Sequence, residues 1–191
     1  MPADIFMVIP TALAPAPIPI HIAADPVQDS YFGKNFPNAV AVVELRSFSL
    51  SAENPVTIGS TTGGAGAGKA RFNPLLVEKA VDRLSPSLFM ISASGAHFPT
   101  VQIFVRKAGG SAPQGAKPYL AYEFSMVYVT QVAWSGGGGD EAPAEQVTFN
   151  YGALTLGYYS QTSDGSFDTL TKLGWSQITN MPAKDDALQR F

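Results

Sequence analysis

The segment closest to a known chemistry is Gly63-Gly64-Ala65-Gly66-Ala67-Gly68-Lys69-Ala70, which satisfies the G-x-x-x-x-G-K spacing of a phosphate-wrapping loop. That chemistry needs a serine or threonine after the lysine, because its hydroxyl holds magnesium, and Ala70 has no oxygen to offer. The lysine must also open a helix whose amides aim at phosphate, whereas Lys69 leads into a strand-like run containing Pro74. The segment therefore reads as a glycine-rich loop. His21 and His97 are the only histidines, and neither has a second ligand at helix or strand spacing. His97 follows a helix-like run, which suits contact with terminal carbonyls or solvent. A hydrolase built on His97 and a serine would want a G-x-S-x-G elbow, and none is present. Asp140-Glu141 and Asp185-Asp186 are adjacent acids on loop-like stretches, where solvated charge is the default role. With no cysteine, thiol catalysis, thiolate metal sites and disulfides are excluded. No catalytic, cofactor-binding or metal-binding residue is expected.

Aromatic residues admit two uses. Tyr119, Tyr122, Tyr128, Tyr151, Tyr158 and Tyr159 could form a sugar-stacking platform, but tyrosine at strand spacing more often packs a core or an interface. Packing is the favoured reading.

Those residues must be carried by a chain of 191 residues with 12 basic and 15 acidic side chains and a net charge of −3. The length fits one domain, expected to span 1–191. Only 14% of residues are charged, against about 25% in an average protein, and 46% are apolar. That balance excludes general disorder, and the lack of any basic block excludes a nucleic-acid footprint. A chain so short of charge leaves much neutral surface, which is commonly covered by a partner. Self-association is the first expectation.

Residues 8–24 are almost all apolar apart from Thr11 and His21, and Ala12-Leu13-Ala14 imitates a cleavage site. A secretory signal needs basic residues ahead of its apolar stretch, and the first one here is Lys34. Pro10, Pro15, Pro17, Pro19 and Pro26 break any helix that would span a bilayer. Neither a signal peptide nor membrane insertion is expected. Instead a first strand over 4–9 leads into a proline-rich surface connection over 10–36.

Period-2 alternation dominates the chain beyond that connection. Val101, Ile103 and Val105 alternate with Gln102, Phe104 and Arg106, and Leu120, Tyr122, Phe124, Met126 and Tyr128 open a second long strand ending near Trp134. Over 146–159, Val147, Phe149 and Tyr151 hold one phase and Leu154, Leu156 and Tyr158 the other, which places a β-bulge at Gly152-Ala153. Residues 40–50 and 69–81 are further strands, the latter bent at Pro74. One helix is expected over about 86–94: Ser85 can cap it, Pro86 suits its first turn, Gly95 suits the left-handed residue past its end, and Leu88, Phe89 and Ile91 give an apolar face. Glycine-rich connections fall at 59–68, 109–115 and 136–139, and Ser163-Asp164-Gly165 reads as a tight turn. The fold class is mainly β: an antiparallel barrel of two sheets, closed or nearly so, with one short flanking helix. The last residues, 181–191, read as a polar tail.

The central motifs, taken in order, resemble one family. They are Thr62-Gly63-Gly64 through Lys69, Ser85-Pro86-x-Leu88 through Ser94-Gly95-x-His97, and Val105-Arg106-Lys107-Ala108-Gly109-Gly110. Then come Ser135-Gly136-Gly137-Gly138-Gly139-Asp140, Glu145-x-Val147-x-Phe149-Asn150-Tyr151, Gln161-x-x-Asp164-Gly165-Ser166 and Gly174-Trp175. Order and spacing over about 40–179, with the opening strand, are similar to Hcp, the haemolysin-coregulated protein of type VI secretion systems. The resemblance implies a small β-barrel with one flanking helix. It further implies six-membered rings that stack into a hollow tube inside a contractile sheath, a VgrG-type spike at the tip, and effector proteins carried in the lumen. Such a protein is cytoplasmic before firing, is then exported without a signal peptide, and needs no cofactor. The family's extended loop takes part in ring stacking, and that role carries over to Pro55, Thr61, Thr62, Gly63, Gly64, Gly66, Gly68 and Lys69. The chain departs from the family pattern in its long connection over 10–36, and at Arg46-Ser47-Phe48, where the family often has paired tryptophans.

The alternative from a different class is a β-barrel binding module for a sugar or a peptide strand, using the tyrosines or a free edge.

Overall fold

The structure is a computed structural model describing residues 3–14, 19–55, 68–107, 117–139, 143–161 and 167–183. Its elements run β1 (Ala3–Ile9), α1 (Ser30–Asn35), β2 (Ala41–Leu45), β3 (Ser47–Ser49), β4 (Ala52–Glu53), β5 (Arg71–Phe72) and β6 (Leu75–Ala80), then α2 (Ser85–Ser94), β7 (His97–Lys107), β8 (Leu120–Ser135), β9 (Ala144–Gln161), β10 (Phe167–Ser176) and β11 (Met181–Pro182). The turn at 162–166, including Ser163-Asp164-Gly165, lies outside the described residues, as do 108–116 and 184–191.

Neighbouring strands pair antiparallel in the order β11-β10-β9-β8-β7-β1-β2, and β9 also pairs with β6, which pairs with β3. The expected two sheets are thus a single nine-stranded sheet plus a separate two-stranded ladder, β4–β5. It curls because β9 is long enough to hold β6 along Ala144 to Phe149 and β10 along Ala153 to Gln161. The ring of strands returns to its start through Arg46, the one residue between β2 and β3, whose N–H donates to the Glu78 carbonyl at 2.8 Å. Among the described residues no ladder joins β2 to β6, so the barrel is not closed by an unbroken set of hydrogen bonds.

Alternation explains which side chains fill it. Met7, Ile9, Val101, Ile103, Val147 and Phe149 point into one core and are fully buried. α2 lies against it through Leu84, Leu88 and Ile91, while Phe89, assigned to its apolar face from the sequence, is exposed. Ser85 does not cap α2. Leu84 holds the cap position, Asp82 Oδ1 accepts from the Leu84 N–H at 2.9 Å, and the Ser85 hydroxyl is turned inward. Gly95 ends the helix at φ 71°, its N–H donating to the Ile91 carbonyl at 3.1 Å. A Cβ at Gly95 would meet nothing within 4 Å, so Gly95→Ala isolates the backbone term. We expect it to lower the unfolding free energy by about 1–2 kcal/mol in urea titrations, with an unchanged m-value.

The proline-rich connection is more than a surface run. Asp29 Oδ1 accepts from the N–H groups of Tyr31 (3.0 Å) and Phe32 (3.2 Å) and so starts α1, a second helix that the proline content masked. Phe32 is fully buried on the outer face of β1 and β7, with ring centroids 4.8 Å from Phe6 and 5.6 Å from Phe104. Phe104 alternates with the barrel-facing residues of β7 and still finds an apolar partner.

The phase change in β9 is present, but it is not a one-residue bulge at Gly152-Ala153. Pairing with β8 runs in constant register from Leu120↔Tyr158 to Val129↔Phe149, and the slip falls between Val129 and Gln131. At Gly152 both strands turn over together, opposite Met126, whose φ of 57° is left-handed. Phe124 and Leu154 face the core on one side of this point, Val127 and Tyr151 on the other.

Candidate functional site

No group of three or more metal-capable side chains exists among the described residues, and no helix there is long and apolar enough to cross a membrane. His97 opens β7 and stacks on Tyr128, with ring centroids 4.7 Å apart. The tyrosines mainly pack: Tyr151 is buried, its hydroxyl donating to the Asn73 carbonyl at 3.1 Å, and burial pushes its pKa up to about 12. Tyr158 alone among them is exposed, so a stacking platform is not assembled among the described residues.

What the strands present instead are surfaces. Beyond its pairing with β6, the second half of β9 runs on between β8 and β10, and the face it shares with β10 forms a flange. Leu156 pairs directly with Leu173, so both project from the same face, and Tyr158 follows two residues along. Leu173 is 78% exposed, Tyr158 48% and Leu156 42%. Ile178 and Met181, in and after the β10–β11 turn, are also exposed. A second apolar surface lies on different elements: Phe89 and Met90 of α2 and Trp134 of β8 are exposed, with the Phe89 and Trp134 rings 6.0 Å apart. Sequence alternation names these residues but not their exposure, because beyond Gly152 β9 still packs on the protein through Leu154 and Tyr159 while Leu156 and Tyr158 stand in solvent.

Beneath the second surface is a buried charge cluster missed by sequence reasoning. Lys79 Nζ sits 2.6 Å from Glu145 Oε2 and 2.7 Å from Asp82 Oδ1, and the Lys79 and Glu145 side chains are fully buried. The Ser85 hydroxyl donates to Glu145 Oε2 at 2.9 Å, and Trp134 Nε1–H donates to Glu145 Oε1 at 2.8 Å. The cluster ties the start of α2 to β6 and β9 and holds the exposed indole in place.

The third surface concerns the loop singled out in the sequence. Pro55 and Gly68 are brought together at its root, where a Cβ on Gly68 would overlap the Pro55 carbonyl. Lys69 is exposed beside them. Thr61, Thr62, Gly63, Gly64 and Gly66 lie outside the described residues. The root continues into β4–β5, where Asn73 N–H donates to the Ser51 carbonyl at 2.9 Å.

Residues 38–158 match the sequence profile of the family described as "Type VI secretion system effector, Hcp". The chain is 33% identical over 116 residues to "Protein hcp1" of Pseudomonas aeruginosa, an alignment covering 60% of this chain and 70% of the relative. Its fold is similar to "Structure of a type six secretion system protein" at a TM-score of 0.73 and 26% identity, covering 94% of this chain and 99% of that one. It is also similar to Hcp1 from Salmonella typhimurium at a TM-score of 0.65 and 24% identity, covering 96% and 100% of the two chains. A profile match over more than half the chain, agreeing with both the curved antiparallel sheet and the ordered motifs, settles the family: the chain belongs to the Hcp proteins of type VI secretion, secreted proteins that form rings within the type VI tube.

Proposed function

We propose that this chain, as a single domain over 1–191, closes head-to-tail into a six-membered ring by placing its β9–β10 flange against a different surface of the next copy. The observation carrying this reading is the flange itself, whose paired Leu156 and Leu173 stand in solvent on a chain with only 14% charged residues. A head-to-tail contact needs two unlike patches on one protomer, and the Phe89–Met90–Trp134 surface supplies a second. Rings then stack into a hollow tube within a contractile sheath, capped by a VgrG-type spike, with effector proteins in the lumen. The chain acts without catalysis or cofactor. It waits in the cytoplasm and leaves through the machine.

The ring-stacking role is assigned to Pro55, Thr61, Thr62, Gly63, Gly64, Gly66, Gly68 and Lys69. Support comes from the root, where Pro55 and Gly68 approach so closely that only glycine fits at position 68. Native mass spectrometry should report about six subunits per particle, and negative-stain images should show annuli. Deletion of residues 61–66 is expected to leave rings intact and abolish their stacking and secretion. A solitary protein at high concentration overturns the ring, and stacking that survives the deletion overturns the loop assignment.

A further inference from the structure

We infer that Gln177 is a positioning residue that fastens the β10–β11 turn of the flange to β5, and so couples the lateral contact face to the root of the stacking loop; the inference rests on the ring-stacking reading of that loop. β5 is only two residues long and, among the described residues, its single ladder partner is the equally short β4, with Ala52 opposite Phe72 and Glu53 opposite Arg71. The next ladder bond runs from Asn73 N–H to the Ser51 carbonyl. Because inward- and outward-facing amides alternate along an antiparallel strand, the Phe72 N–H points away from β4 and needs another acceptor. Gln177 Oε1 is that acceptor, at 3.2 Å. The other end of the same amide, Nε2, donates to the Tyr151 carbonyl of β9, and the Gln177 backbone N–H donates to the Gly152 carbonyl at 3.0 Å.

One side chain therefore bridges two strands that have no ladder with each other among the described residues. Packing reinforces the bridge. The Phe72 ring stacks on Tyr151 with centroids 5.6 Å apart, and the Tyr151 hydroxyl reaches the Asn73 carbonyl at 3.1 Å. Ile178, the next residue along the turn, lies over Gly152, where a Cβ would overlap its Cδ1. Ile178 and Met181 also stand exposed on the flange, so a neighbouring copy seated there presses on the turn that holds β5. Lateral docking thereby steadies β5 and the Pro55–Gly68 root beside it, so that rings stack readily only once they are closed.

The test uses the full chain with Gln177→Leu, which keeps the volume and removes both polar atoms, and Gln177→Glu, which keeps the acceptor for Phe72. Three readouts are taken: hydrogen exchange at the Phe72 amide, native mass for rings, and sedimentation for stacking. Gln177→Leu is expected to form rings, to exchange the Phe72 amide faster, and to stack only at roughly five- to tenfold higher protein concentration. Gln177→Glu should lie between it and the parent in both exchange and stacking. An unchanged Phe72 amide in Gln177→Leu overturns the clamp. Faster exchange with unchanged stacking, in a protein whose stacking is abolished by deleting 61–66, overturns the coupling and leaves the loop reading standing. If that deletion is harmless, the loop reading falls and this inference falls with it. Loss of rings in both variants also overturns it, because the role would then belong to the fold alone.

Discussion

Glu145→Ala is expected to cost about 3–5 kcal/mol of folding free energy, a large share of the roughly 5–15 kcal/mol that a domain possesses. Lys79 and Glu145 are opposite one another in the β6–β9 register, and both side chains are wholly removed from solvent. Truncating the acid leaves the ammonium buried, with Asp82 Oδ1 at 2.7 Å and the Ala80 carbonyl at 3.0 Å as its remaining oxygen partners besides the Ser85 hydroxyl. The Trp134 indole N–H loses its acceptor as well, and the Ser85 hydroxyl is left with Asp82 Oδ1 at 3.4 Å. A buried ammonium that loses its fully buried partner and keeps only the part-exposed Asp82 is under-compensated, which costs more than an intact pair contributes. The paired replacement Lys79→Met with Glu145→Leu should therefore recover most of the loss. Urea unfolding curves for the single and double variants check both statements. A loss below about 1 kcal/mol in Glu145→Ala would show that the cluster does not anchor α2.

The same pair shows where reading the sequence stops. Lys79 and Glu145 look like ordinary polar positions on two strands, and only the pairing of Leu75–Ala80 with the start of β9 makes them neighbours. Register depends on contacts distant in sequence, so no local pattern reports it. Alternation worked where one face is core, as at Val101, Ile103 and Val105, and Pro86 and Gly95 bounded α2 correctly because each acts through its own backbone. Capping by Ser85 failed because the helix starts one residue earlier, with the Leu88 N–H donating to the Leu84 carbonyl at 3.0 Å, and the Ser85 hydroxyl was drawn to Glu145. The Asp29 cap and Phe32 were present in the sequence, yet five prolines upstream outweighed a helix of only six residues. The phase change at Gly152 in β9 was legible, but nothing local told that beyond it Leu154 faces the core while Leu156 and Tyr158 stand in solvent. For the glycine-rich loop, composition was legible and the structure adds the Pro55–Gly68 approach at its root, and the stacking role proposed for it rests on the family resemblance.

Leu173→Asp is expected to turn rings into single subunits while leaving the fold unharmed. In the isolated chain Leu173 is 78% exposed, and substitutions at such positions usually change stability by no more than about 0.5 kcal/mol. In a ring built on the flange the same side chain is covered, beside its cross-strand partner Leu156. The variant then forfeits about 1.5–3 kcal/mol of apolar burial at each contact, and also places an unpaired carboxylate in the interface, which costs several kcal/mol more. A closed ring repeats that penalty at every junction, because each copy offers the same flange to the next. Leu173→Ala removes the apolar contact without introducing charge, so it should weaken rings only partly. Native mass spectrometry at micromolar concentration, with circular dichroism to confirm an unchanged β signature, separates the cases. Persistent hexamers of a folded Leu173→Asp protein would place the lateral contact elsewhere on the barrel. A monomer for Leu173→Asp with a mixture of species for Leu173→Ala fixes it to the face shared by β9 and β10, because no residue of the core is touched by either change.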